Sequence, residues 1–173
     1  MSMRQFLSIL AVAVVALAPC AARSQTSAMA SNIGVGPHGY DFAIGTWSCT
    51  NAAPSGMSGP ATSTLTLARN AQGSLTFHST GAGFDTSGYV AYNSKSKMWW
   101  NPAAFGDGSY SVESTRQKGS RTVWTGTFFD ASTRTTTTIR DTYSFSPTKY
   151  TDLGQMQSGG GWKTVSNLTC TKS

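Results

Sequence analysis

The chain predicts an all-β fold, an antiparallel up-and-down β-barrel of about ten strands. Three observations point there. From about residue 44 onward the residues alternate with a period of two, and Thr, Ser, Tyr, Trp and Phe dominate. Turn chemistry returns about every 8–12 residues, the spacing of sandwiches and barrels. One cysteine, Cys49, falls in the first candidate strand and another, Cys170, in the last.

The N-terminus reads differently. Arg4 precedes an uncharged apolar run, FLSILAVAVVALA, from Phe6 to Ala18, and the small residues of PCAARSQ follow. That is the pattern of a secretory signal peptide. The core is shorter than the ~20 apolar residues of a membrane span, so no stable membrane insertion is expected. A cut after Ser24, with Ala22 at minus three, makes 1–24 the signal peptide; a cut after Ala22 is the alternative. Cleavage before Cys20, as in a lipoprotein, is disfavoured because Pro19 stands where a small non-proline residue is needed. Residues 25–39 are rich in Ser, Ala and Gly and read as a flexible leader. The domain is then 40–173, in a periplasmic or secreted protein.

Removing Arg4 and Arg23 from the 13 basic residues leaves 11 against 7 acids, a net charge of +4. The basic residues are scattered, with no stripe of the kind that tracks a nucleic-acid backbone, which argues against a nucleic-acid partner.

Candidate strands fall at 44–50, 61–68, 74–80, 87–92, 97–101, 109–115, 121–129, 134–144, 149–157 and 162–171. The segments between them carry turn residues, among them Asn70–Gly73, Asn93–Ser96, Gly106–Gly108, Asp130–Thr133 and Ser158–Gly161. No segment supports the long helix that a parallel crossover requires, so the strands should meander antiparallel. An open ten-strand meander leaves two bare edges; closure removes them.

In an oxidising compartment Cys49 and Cys170 are candidates for a disulfide. A disulfide needs Cα atoms within about 4.4–6.8 Å, and first and last strands are neighbours only if the barrel closes. Two isolated cysteines lack the paired spacing of a zinc site, so no metal is expected. Two buried free thiols are the alternative.

The segment YDFAIGTWSCT, residues 40–50, carries a resemblance. Gly45-Thr46-Trp47 resembles the G-x-W signature that opens the first strand of lipocalin-like (calycin) barrels, and FAIGTW resembles bacterial lipocalin-like proteins of unknown function and the nitrobindin-type ten-stranded barrels. The resemblance implies structural roles for Gly45 and Trp47, with the indole packed across a closed barrel end and an arginine of a late strand, Arg140 or Arg134, over it. Nitrobindins bind haem iron through a histidine on a late strand. Neither His38 nor His78 matches that position, and His78 shares the outward face of Thr76, so no cofactor is expected.

Alternation nominates the inner face. Leu65 with Leu67, Leu75 with Phe77, and Ile139 with Asp141, Tyr143 and Phe145 each share one. Tyr150 goes with Asp152 and Met156, and Trp162 with Ser166, Leu168 and Cys170. Trp99 and Trp100 put one indole on each face. Candidate ligand-lining residues are Phe77, Trp99, Tyr110, Tyr143, Tyr150 and Met156. Asp141 stands out, because an inward carboxylate needs a partner or a raised pKa. No nucleophile elbow, zinc-protease motif or phosphate loop is present, so no catalytic residue is assigned.

These readings favour an exported barrel holding a small, mostly apolar ligand in its lumen. The rivals are a structural or envelope-interaction protein with a filled barrel, and an enzyme using Asp141 and a tyrosine as acid and base. A lumen under about 300 Å³, the lower limit for ligand pockets, would argue strongly against lumen binding.

Overall fold

The structure, a computed structural model, describes residues 32–52 and 60–173. The signal peptide, its cleavage site and the leader up to residue 31 lie outside the described residues. A short 3-10 turn at Asp41–Ala43 leads into ten strands. They are β1 Gly45–Asn51, β2 Thr62–Arg69, β3 Leu75–Gly81, β4 Phe84–Asn93, β5 Met98–Phe105, β6 Tyr110–Thr115, β7 Arg121–Asp130, β8 Thr135–Phe145, β9 Lys149–Ser158 and β10 Gly161–Lys172. Each pairs antiparallel with its neighbours in the chain, and β10 pairs with β1 to close the barrel. This is the up-and-down closed barrel that the alternation and the turn spacing predict, and it is compatible with a lipocalin-like fold.

Strand ends match the sequence pattern except at two places. β4 starts at Phe84, ahead of the expected residue 87, because Ala82-Gly83 makes a tight hairpin with Gly83 at φ 68°. β5 runs on through Pro102 to Phe105. Proline has no N–H to give to a ladder, and the β4–β5 pairing lapses where it stands: Gly88 pairs with Ala103 and Ala91 with Trp100 in one register, with no pair between them.

The seam between β1 and β10 is held twice. Backbone pairing runs from Trp47 opposite Lys172 to Asn51 opposite Leu168. In the middle of it Cys49 stands directly opposite Cys170, and a disulfide joins them, with Cα atoms 4.0 Å apart. Both cysteines are buried beside Trp47, Leu65, Leu168 and Tyr150.

One end of the barrel is plugged. The sequence pattern starts the domain near Tyr40, but packing begins seven residues earlier, at Ile33, which is fully buried. Ile33 and Tyr40 sit among Leu75, Trp99 and Trp124, with Phe42, Ile44 and Phe145 around them. Polar contacts fix the plug: Trp99 Nε1 donates to Gly34 O at 3.0 Å, Gly119 N to Ile33 O at 3.0 Å, and Arg69 pairs with Asp41. Trp47 closes the same region, donating its Nε1 to Ala43 O at 2.8 Å. The cation over its ring is Lys172, with Nζ 5.3 Å from the centroid. Arg140 instead turns outward, stacks over Trp162 at 4.2 Å and donates Nε to Gln155 Oε1 at 2.8 Å.

Trp162 is outside because β10 carries a bulge. The register slips between Thr164 and Ser166, and one extra residue reverses which face every earlier side chain takes. Outward positions of the strands are dominated by Thr and Ser, as at Thr46, Ser48 and Thr50 of β1 or Thr62, Thr64 and Thr66 of β2. That is the wrong chemistry for the apolar band of a membrane-spanning barrel. Among the described residues no helix is long and apolar enough to cross a membrane.

The disulfide closes a loop with a sequence separation of 121. In the chain-entropy account such a loop is worth about 3–5 kcal/mol. The Cys49→Ser/Cys170→Ser double variant should therefore unfold at a markedly lower urea concentration than the parent. An unchanged midpoint would show that backbone pairing alone seals the seam.

Candidate functional site

Enclosed by the strands are two adjoining chambers. The first, about 210 Å³, is lined in part by Glu113, Asp141, Asp152, Tyr143, Tyr150 and Met156. The second, about 150 Å³, lies against the plug and is lined mainly by apolar and aromatic groups, including Tyr40, Leu67, Leu75, Val90 and Trp124. Leu65, Phe77, Asn101, Tyr143 and Tyr150 line both, so these five stand at the junction. Each chamber is smaller than the ~300 Å³ lower bound of drug-sized pockets. Taken singly, each falls on the side that argues against a ligand pocket; only joined through the residues they share do the two reach that range.

At the end away from the plug, Phe84, Phe105 and Phe128 form a collar; Phe105 meets Phe84 at 6.1 Å and Phe128 at 5.5 Å between centroids, both edge to face. Beyond the collar the β3–β4, β5–β6 and β7–β8 turns border an open depression of about 860 Å³. Its lining includes Asp85, Asp107 and Asp130 and contains no Lys or Arg among the described residues.

The polar chamber is built by strand register. On β6, Ser111, Glu113 and Thr115 face inward. Glu113 stands opposite Asn101 of β5 and Gly126 of β7. On β8, Asp141 stands opposite Gly154 of β9, and Gly154 opposite Ser166 of β10. On β9, Asp152 stands between Tyr143 and Leu168. Two glycines make room. A Cβ at Gly126 would collide with Val112 O and come within 2.7 Å of Glu113 Cα; one at Gly154 would collide with Ser166 Oγ and come within 2.9 Å of Asp141 Oδ1. At Gly154 the missing side chain leaves space for the Asp141 carboxyl, and at Gly126 it lets the β6 backbone at Val112 and Glu113 come close.

Three carboxyls in one closed space perturb one another. Glu113 and Asp152 are 3% and 6% exposed. Burial, then the charge of Asp141 and a hydrogen bond to it, push Glu113 well above the usual carboxyl range. Asp152 is also pushed well up, by burial and by the charge of Asp141. Burial raises Asp141 to about 6, while the hydrogen bond from Glu113 favours its ionised form. Near neutral pH Glu113 thus keeps its proton and donates it to the Asp141 carboxylate, so the pair titrates as a unit. Burial and the same acids hold the Tyr143 hydroxyl protonated far beyond the ordinary range, and burial and Asp152 do so for Tyr150. Glu113 Oε1, Asp152 Oδ1 and Asn101 Oδ1 are buried without a hydrogen-bond partner.

Of the residues nominated from sequence, Phe77, Tyr143, Tyr150 and Met156 line the lumen, together with Asp141. Trp99 faces inward but is locked in the plug against Tyr40, at 4.8 Å between centroids, and lines neither chamber. Tyr110 lies on the outer surface, 48% exposed and stacked on Phe129 at 5.1 Å. The reason is that β6 is inside out: its polar residues face the lumen and its apolar Tyr110 and Val112 face away. Glu113 was hidden by the same inversion. Its one signal is parity with Ser111 and Thr115. His78 is exposed and pairs with Asp85 at 3.1 Å, outside the lumen. No group of three or more His, Cys, Asp or Glu residues is placed to hold a metal ion among the described residues.

No protein-family model matches the chain, and no curated protein matches it by sequence. The class is therefore set by the fold and the lumen: a closed ten-strand antiparallel barrel with a paired apolar and acidic interior.

The acids make stability pH-dependent in a definite direction. Between the ordinary carboxyl range and about 6, the folded state holds protons that the unfolded chain has lost. Stability is then greatest at the acid end of that window and falls as pH rises through it. Urea midpoints measured from pH 4 to pH 7 should show this decline. Glu113→Gln, which keeps the donor and removes the titration, should flatten the slope and raise stability at pH 7 by about 1–3 kcal/mol. A midpoint that rises with pH over this range would contradict the carboxyl burial.

Proposed function

We propose that this protein is an exported, lipocalin-like barrel that binds one small molecule in its lumen. The apolar body of the ligand lies in the chamber against the plug, and its polar group faces the carboxyls. The observation that carries this reading is the pair of chambers meeting at Phe77, Tyr143 and Tyr150, one apolar and one acidic, behind a phenylalanine collar. A barrel with a purely structural task has no use for three buried carboxyls, since apolar side chains in their place would pack and stabilise it. Outward aromatics on β4–β7, among them Tyr89, Trp100 and Tyr110, give the envelope-interaction reading some support, but that reading leaves the lumen unexplained.

Export is supported by the N-terminal apolar run of the sequence and by a disulfide at the seam, which persists in oxidising compartments. The lipocalin-like relation, and the more specific one to nitrobindin-type barrels, rests on Gly45-Thr46-Trp47 opening the first strand of a closed ten-strand sheet with its indole buried at the plugged end.

A second reading is acid–base catalysis on the bound molecule. It is favoured by one observation, a carboxyl pair sharing a proton, with Asp141 as base and Glu113 as acid. The tyrosines do not suit the base role, since both are held protonated.

Native mass spectrometry of the mature protein after incubation with cell extract should reveal one small bound species. Ala103 faces the acidic chamber from β5, and Ala103→Phe should abolish that capture while the fold is retained. Repeating the capture in D2O separates the two readings. A binder returns the ligand without new deuterium on carbon, whereas an acid–base catalyst returns it labelled.

A further inference from the structure

We infer that the lumen takes a small protonated amine, its ammonium group seated among Glu113, Asp141 and Asp152 and its apolar body directed at the plug. This deepens the lumen-binding reading above and rests on it.

Four features of the chamber ask for such a ligand. The first is charge. Three carboxyls on β6, β8 and β9 line one space, and among the described residues no Lys, Arg or His lines it with them. A buried carboxylate without a cation is costly, and this wall supplies none. The second is hydrogen-bonding capacity. Glu113 Oε1, Asp152 Oδ1 and Asn101 Oδ1 are buried acceptors without donors, and Glu113 and Asp152 are only 3% and 6% exposed. An ammonium group brings three donors in a compact head, whereas a neutral alcohol brings one. The third is the remaining wall. Tyr143 and Tyr150 flank the same acids, with ring centroids 6.3 Å apart, and aromatic rings attract an organic cation. The fourth is the approach. The depression beyond the collar presents Asp107 and Asp130, and Asp85 paired with His78, with no Lys or Arg among its described lining residues, on a chain whose overall charge is +6. A local negative potential there draws a cation toward the lumen.

A metal ion fits the chamber less well. The acids are not grouped at metal-ligating spacing, and Glu113 keeps its proton beside Asp141, which leaves a site suited to one positive charge. The small chamber volume and the apolar second chamber both favour an organic cation with a short hydrophobic body.

Binding should be linked to protons. The titratable groups facing the site are Glu113 on β6, Asp141 and Tyr143 on β8, and Tyr150 and Asp152 on β9. Neighbouring β5, β7 and β10 contribute Asn101, Gly126 and Ser166, none of which titrates. An ammonium ion favours the ionised carboxyls, so its binding releases protons and tightens as pH rises from about 5 to 7, through the titration of Asp141 at about 6.

The test uses three probes of one shape: 2-phenylethylamine, 2-phenylethanol and 3-phenylpropanoate. Calorimetry on the mature protein at pH 7 should show the amine binding about tenfold or more tightly than the alcohol and the acid not binding. Proton release should appear in buffers of different ionisation enthalpy. Asp141→Asn, checked for an intact thermal transition, should bring the amine down to the level of the alcohol, whereas Glu113→Gln, which keeps the donor to Asp141, should leave the preference for the amine in place. Equal binding of amine and alcohol by the parent would overturn the cation assignment and leave lumen binding in place. Binding of Mg2+ or Ca2+ with the same carboxyl dependence would also overturn it, in favour of a metal. If no probe binds but extract yields a neutral species, the cation assignment alone fails. If no probe binds and extract yields nothing, the lumen-binding reading fails with it.

Discussion

The pairing of β1 with β10 is the contact on which everything else depends. Without it the ten strands form a curved ribbon with two bare edges and an interior open along one side. With it, the inner face becomes a closed space from which bulk water is largely removed. That removal gives the three carboxyls their unusual chemistry, since burial is the largest cause of the upward shift at each of them. The seam is correspondingly well secured. A disulfide stands midway along it, and on its inner side lie Trp47, Leu65, Leu168 and Tyr150. The last of these also borders both chambers, so the closure and the lumen share a side chain.

The wall of the lumen is built against the ordinary preference of a core. Close packing of apolar groups stabilises a barrel, and carboxyls opposite glycines do the reverse. Three buried acids lining one space, two of them hydrogen-bonded, cost several kcal/mol at neutral pH. The rest of the molecule offsets that cost. The plug places Tyr40, Trp99, Trp124 and Phe145 in edge-to-face or tilted contact, and the disulfide restricts the unfolded chain. Stability is thus concentrated at the closed end and the seam, and strain is concentrated in the middle of the barrel. Such local inconsistency, set inside an otherwise consistent fold, is what a functional site looks like energetically.

Much of this was legible in the sequence, and the parts that were not share one cause. Alternation fixes the faces of a strand only when apolar residues mark the buried one. β8 satisfies this: Ile139, Tyr143 and Phe145 identify the inner face and carry Asp141 in with them. β9 does so through Tyr150 and Met156, which bring in Asp152. β6 does the opposite, with Tyr110 and Val112 turned to solvent and Ser111 and Glu113 turned inward, so the rule points to the wrong face and conceals an acid. β10 obeys the rule after its bulge, at Ser166, Leu168 and Cys170, but the bulge reverses the faces before it, and Trp162 therefore lies outside. The plug was partly legible, in Tyr40, Phe42 and Ile44. Ile33, alone in a run of Ser, Ala and Gly, gave no pattern from which its burial could be read. Register decides which acids meet, and no local pattern encodes that Glu113 of β6 reaches Asp141 of β8 across Gly126 of β7.

The two ends of the barrel are unlike, and this gives the lumen a direction. The plugged end is apolar and closed by side chains locked through hydrogen bonds to the 33–44 segment. The other end is rimmed by aspartates and narrowed by phenylalanines. Between them the apolar chamber lies deeper and the acidic chamber nearer the collar. A molecule entering from the rim must send its hydrophobic part past the carboxyls first. In the proposed binding mode it comes to rest with its polar head beside Glu113 and Asp141, on the side from which it came. In that mode the apolar part is favoured where it meets the phenylalanine collar and where it ends against Leu67, Leu75 and Val90. The head gives up its water last, at the point where unpartnered acceptors replace it. The reverse orientation would carry a charged group into the apolar chamber and leave the acids facing hydrocarbon, and both changes are unfavourable. The order of the two chambers along the axis is therefore itself a determinant of which ligands fit: those with one polar end, of donor character, and a body short enough to stop at the plug.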